Sequence, residues 1–225
     1  MTVILVLLTF VAFLVIDHFY SKKHLKVPVL AQAPARSEVR APRLQPNIVA
    51  GFRVPDFLRY HPGHTWALSE SPNLVRVGMD DFASKLLGKV EKITLPQRGQ
   101  WVRQGQKLIT VERNGAKIDM VSPIEGSVSD INEALARDPQ LARQDPYGNG
   151  WLIAVQAPDA KTSFRNLLGG ALARGWMEEA SARLQRSMPQ FAGALAQDGG
   201  VAVDDLLGAV PDEKFAEIAR QFFLC

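Results

Sequence analysis

The sequence predicts a mainly β fold, a small sandwich or flattened barrel, with a transmembrane helix before it and an α-helical extension after it. Three observations carry that expectation. From Leu74 to Val155 short segments of alternating pattern follow one another (VRVG, KVEKITL, KLITVE, IDMV, GSVSDI, WLIAV), and Gly or Pro punctuates them at 96, 99, 105, 115, 123, 126, 146 and 150. Strands this short and this frequent belong to small sandwiches and barrels rather than to βαβ units. Before them lies a run that is apolar except for Thr9, and after them apolar residues recur at helical spacing.

The apolar run is VILVLLTFVAFLVI, residues 3 to 16, followed by Asp17, His18, Phe19, Tyr20 and the lysines 22, 23 and 26. Sixteen helical residues span about 24 Å, a little short of the roughly 30 Å hydrocarbon core, and interfacial aromatics with snorkelling lysines make up the difference. A cleaved signal peptide would need a basic segment before the run and a small-residue cleavage site soon after it. Neither is present, so residues 1–20 are expected to be an uncleaved single-pass anchor. All the lysines follow the span, which places the bulk of the chain on the cytoplasmic side of the membrane. The single cysteine, Cys225, cannot form an internal disulfide and suits a reducing compartment.

Residues 21–58 carry prolines at 28, 34, 42, 46 and 55 without a sustained period and read as a Pro-rich tether. Its core, residues 27–50, would reach on the order of 75 Å if extended. The β domain is then expected over 59–160, interrupted by two helical pieces, Asp80 to Leu87 and Ile131 to Ala136. The C-terminal extension occupies 161–225. There Leu168, Leu172, Trp176, Ala180, Leu184 and Met188 recur every four residues as one apolar stripe. A second helix is expected from Pro211-Asp212-Glu213 with Phe215, Ile218, Ala219 and Phe222 inward, and AQDGGVAVDDLLGAV between the two reads as a glycine turn and a short helix. The helices pack on each other or on the barrel, or else Trp176, Phe222 and Phe223 form a docking surface. These helices are expected to matter more to assembly than to the β domain.

The 26 basic and 23 acidic residues, net +3, are dispersed without a basic run or interleaved aromatics, which argues against nucleic acid as a partner. His61 and His64 in YHPGHTW have no further Cys or His nearby to complete a metal site, so packing around Trp66 is the expected role and no metal is assigned. Asp80 and Asp81 open a helix, where carboxylates favour the N-terminal dipole, so they are not read as a catalytic pair. With no Ser-His-Asp set and no phosphate loop in the sequence, no enzyme is expected.

Within this pattern, His64 and Trp66, the stretch VGMDDFASKLLGKVEKITLPQRGQWVRQGQ (77–106), SPIEGSVSDINEAL (122–135) and DPYGNGW (145–151) resemble, in order, the motifs of the glycine cleavage system H protein. The resemblance covers close to half of the chain and implies a lipoyl-like barrel. It also implies a lysine at a hairpin tip that carries lipoate on a long arm, placed three residues after a glutamate and eight before a Ser-Pro proline. Counting from Glu112 and from Pro123 leads to Gly115, which cannot be modified.

In TVERNGAKIDMVSP (110–123), Asn114-Gly115 is the strongest two-residue hairpin signal, because both turn positions need positive φ. It sets Arg113 against Ala116, Glu112 against Lys117, Val111 against Ile118 and Thr110 against Asp119. Lys117 then reads as the charge partner of Glu112 on the outer face. The alternative keeps Lys117 as a displaced lipoyl site. Three functions follow from these alternatives. The first is a membrane-tethered, non-lipoylated scaffold or interaction subunit of a larger complex, without cofactor. The second is a carrier with lipoate on Lys117, and the third is the lipoyl-like part of an export adaptor, which would need long helical hairpins that are absent.

Overall fold

The computed structural model describes residues 48–188, 201–208 and 210–223. The expected anchor, all of the tether before residue 48 and Cys225 lie outside them. Among the described residues no helix is long and apolar enough to cross a membrane.

Eleven strands and six helices make up the described chain, in the order β1 (Ile48–Val49), β2 (Phe52–Arg53), β3 (Arg59–His61), β4 (Thr65–Ser71), β5 (Leu74–Met79), α1 (Asp81–Leu87), β6 (Lys92–Thr94), β7 (Trp101–Val102), β8 (Lys107–Arg113), β9 (Ala116–Val121), β10 (Gly126–Ile131), α2 (Ala134–Arg137), α3 (Leu141–Gln144), β11 (Ile153–Gln156), α4 (Ala160–Arg165), α5 (Gly170–Ser187) and α6 (Asp212–Phe223). A six-stranded antiparallel sheet runs β3-β4-β5-β11-β10-β7, and a three-stranded antiparallel sheet runs β6-β8-β9. The mainly β expectation holds.

Several elements follow from local chemistry. Pro72 and Asn73 join β4 to β5 with Ser71 opposite Leu74. Asp80 caps α1 by accepting the Ala83 N–H at 2.7 Å, and Gly88, at φ +63°, ends it. Trp66 points from β4 into the core, and its indole Nε1–H lies 2.9 Å from the Met79 carbonyl and 3.0 Å from that of Pro146. Those bonds tie the 145–151 loop to the sheet. Gly78, across the ladder, leaves the room that the indole takes, since a Cβ there would collide with the ring.

Four expectations are corrected. Residues 48–58 are not tether: β1 and β2 pair, and Val49, Phe52, Val54 and Leu58 are buried. Strands of two residues are too short to show a period. Ile131 ends β10 and is not helical. The apolar stripe of α5 is Ala173, Met177, Ala180 and Leu184, while Leu172 is 72% exposed and Leu168 precedes the helix. A strict spacing of four advances about 40° per step on a 100° helix, so such a stripe rotates off the buried face within a few turns.

The fourth correction concerns the C-terminus. Residues 201–208 form an extended strap with a turn rather than a short helix, and α6 lies against β9. Phe215, Ala219, Phe222 and Phe223 are all buried with the barrel residues in one hydrophobic core. The docking surface expected of Phe222 and Phe223 is therefore interior, and the helices belong to the β domain as much as to anything outside it.

Candidate functional site

The hairpin apex has the conformation that its residues dictate. Asn114 and Gly115 sit at φ +47° and +75°, the two positive values that a two-residue primed turn requires. The register runs Arg113 to Ala116, Glu112 to Lys117, Val111 to Ile118 and Thr110 to Asp119, as the sequence predicted. Val111 and Ile118 share the buried face. At the apex itself an added Cβ on Gly115 would have no heavy atom within 4 Å.

Lys117 is two positions from that apex. Its ammonium lies 3.6 Å from Glu112 Oε1, and its side chain is 67% exposed. An exposed cross-strand pair of this kind contributes about 0.2–1 kcal/mol. On the same face Thr110 donates its hydroxyl to Asp119 at 2.8 Å.

Arg113 was not singled out from the sequence. It belongs to the inward row Ile109, Val111, Arg113, so the period-2 alternation carried the signal. Its side chain is 7% exposed, and its Nη1 donates to the Leu87 carbonyl at 2.5 Å and to Asp205 Oδ1 at 2.7 Å. The guanidinium also stacks over Phe215, 4.7 Å from the ring centroid.

A second cluster lies around His64. Its Nδ1 is 2.8 Å from Asp80 Oδ2, and both residues are buried. The ring stacks on Phe82 at 4.2 Å, with Trp176 at 4.7 Å, Phe223 at 5.9 Å and Phe222 at 6.3 Å. Thus Trp176, half-buried, and the two phenylalanines form an aromatic wall around His64. Asp81 Oδ1 accepts from Arg53 Nε and Nη2, and its Oδ2 is 3.2 Å from Lys85 Nζ. Asp80 thus caps α1, and Asp81 pairs with two cations. His61 ends β3 and accepts the His64 N–H at its carbonyl across the turn between them, and among the described residues no three His, Cys, Asp or Glu are grouped to hold a metal ion.

Burial, with His64 nearby, lowers the His61 pKa below the usual histidine range. The geometry agrees, since His61 Nδ1 accepts the Gly63 N–H at 3.1 Å and must be unprotonated to do so. A folded pKa below the unfolded one gives stability that is present above about pH 6.5 and is lost as the pH falls through the folded value. The stability of the protein is therefore expected to fall more steeply between pH 7.5 and 5.5 than that of a His61→Gln variant, whose amide oxygen can still accept. Urea midpoints at the two pH values measure this, and equal slopes for both proteins would rule it out.

Comparison with known proteins places this geometry in a family context. The family described as Glycine cleavage H-protein matches residues 58–179, over half of the chain. The glycine cleavage system H protein of Mycobacterium avium is 36% identical over 129 residues, which are 56% of this chain and 98% of that protein. The probable glycine cleavage system H protein of Aeropyrum pernix is 37% identical over 113 residues, 49% of this chain and 78% of the relative. A crystal structure of the H protein from Mycobacterium marinum superposes with a TM-score of 0.48 at 30% identity, covering 54% of this chain and 97% of that one. The family match reaches to residue 179, so the first half of α5 belongs to it, and the extension proper begins later than residue 161.

Proposed function

Because the chain belongs to the glycine cleavage H-protein family, we propose that it is a non-lipoylated, H-protein-like scaffold or interaction subunit of a larger assembly. In this reading it is tethered to a membrane by residues 1–20, with its bulk on the cytoplasmic side, and it catalyses no reaction itself. The observation that carries the proposal is the hairpin apex. The turn that would present an amine to a ligase is intact, open and well formed, yet Gly115 supplies no side chain. Lipoate does not fit the apex residues present, because the amide linkage needs an ε-amine. The run at residues 3–16, apolar except for Thr9, supports the tether.

One observation favours the alternative of a lipoyl carrier. Lys117 is exposed enough to be modified, and its ion pair with Glu112 is weak enough to break. The two readings separate in one experiment on protein from its native host. Membranes washed in high salt should retain the full-length chain, and its intact mass should lack the lipoyl increment. Lipoate on Lys117 would establish the carrier, and release of the full-length chain by salt alone would remove the tether.

A further inference from the structure

We infer that residues 201–223 fasten the hairpin to the body of the domain, with Arg113 and Asp205 as the positioning pair that fixes where the apex stands. The inference goes beyond the scaffold reading, since it concerns the mobility of the hairpin whether or not any lysine is modified. It starts from how little else holds the tip. The sheet ladder of β6 reaches β8 only as far as Glu112, which pairs with Lys92. Past that residue the next inward side chain is Arg113.

A charged side chain on the inward row of a strand is tolerated there only when paired and hydrogen-bonded. Two of its partners, the Asp205 carboxylate and the Phe215 ring, come from the C-terminal segment. That segment is itself held along its length. Ala202 N–H donates to the Gly51 carbonyl at 2.7 Å, Leu206 N–H donates to the Lys85 carbonyl at 2.9 Å, and Arg143 pairs with Asp204 at 2.9 Å. Leu206 and Leu207 are buried. Asp205 adopts φ +59°, a conformation that a non-glycine residue holds at some cost. A Cβ on Gly88 would strike its carboxylate, so the glycine at the end of α1 makes the approach possible. The C-terminal partners in these contacts, Ala202, Asp204, Asp205, Leu206 and Phe215, all lie beyond residue 179, where the family match ends.

If Asp205 loses its carboxylate, Arg113 keeps only the neutral Leu87 carbonyl and the Phe215 ring, too little for a buried cation, and because it points inward the end of the hairpin lifts to hydrate it. The apex of this chain is thus a fixed post, set by contacts 92 positions away in sequence.

Hydrogen exchange on the full chain, read by mass spectrometry, tests this through Asp205→Gly. Glycine relieves the left-handed backbone while deleting the carboxylate, so the change separates positioning from overall stability. The expected result is exchange at residues 113–118 faster by about tenfold or more, the scale of a hydrogen bond to a charged group, with β4 and β5 unchanged. Asp205→Asn, which keeps an acceptor and tolerates the same φ, should restore most of the protection. Wild-type exchange at the hairpin in both variants would overturn the inference, as would acceleration of β4, β5 and the hairpin together, which would mean only global destabilisation.

Discussion

A Gly115→Lys variant made in a host with a lipoate ligase acquires the lipoyl mass increment on residue 115, and the unaltered chain acquires none. The apex tolerates the change, because an added Cβ meets nothing within 4 Å. The cost is backbone strain at φ +75°, about 1–2 kcal/mol for an L-residue in the left-handed region, against a typical domain stability of about 5–15 kcal/mol. The variant therefore folds with its turn in place, and the new amine stands two residues nearer the tip than Lys117. Intact mass followed by peptide mapping across residues 114–137 reads the site. A folded variant that stays unmodified would show that the fold has lost more of the acceptor site than the lysine. Modification of Lys117 in the unaltered chain would establish the carrier in its place.

Phe223→Ala lowers the stability of the whole domain by about 3 kcal/mol, the lower end of the range for a buried Phe truncation, because the residue lies in the last turn of α6. Its ring is fully buried and packs edge-on to His64 at 5.9 Å. The truncation opens a cavity against the imidazole and the aromatic wall. Leu172→Ala, at a position 72% exposed, shifts stability by no more than about 0.5 kcal/mol and serves as the control. Urea midpoints at neutral pH compare the two. Equal, small effects would show that α6 is an appendage, as the sequence alone suggested.

The parts legible in the sequence are those with local causes. Asn114-Gly115 determined the turn and, through it, four cross-strand pairs, because positive φ at two consecutive positions leaves one way to join the strands. Asp80 determined the start of α1 by capping it, and alternation determined β5, β8, β9 and β11. The apolar face of α6 was legible from its spacing, since Phe215, Ala219 and Phe222 return every three or four residues and each is buried. The absence of a modifiable side chain at the apex also followed from counting residues.

What covers each of those faces was decided only by the tertiary structure. A helical stripe says that something will bury it but not whether that is a partner or the same chain, and here α6 closes over β9 and His64. Arg113 shows the limit from the other side. Alternation placed it inward, but a buried cation becomes stable only with partners, and its carboxylate comes from Asp205, 92 residues further along the chain. No window of local sequence contains both members of that pair. Trp66 and the Pro146 carbonyl, 80 residues apart, meet for the same reason. Hydrogen bonds and packing at such separations depend on how the sheets fold over one another, and local propensity specifies each partner without specifying the meeting.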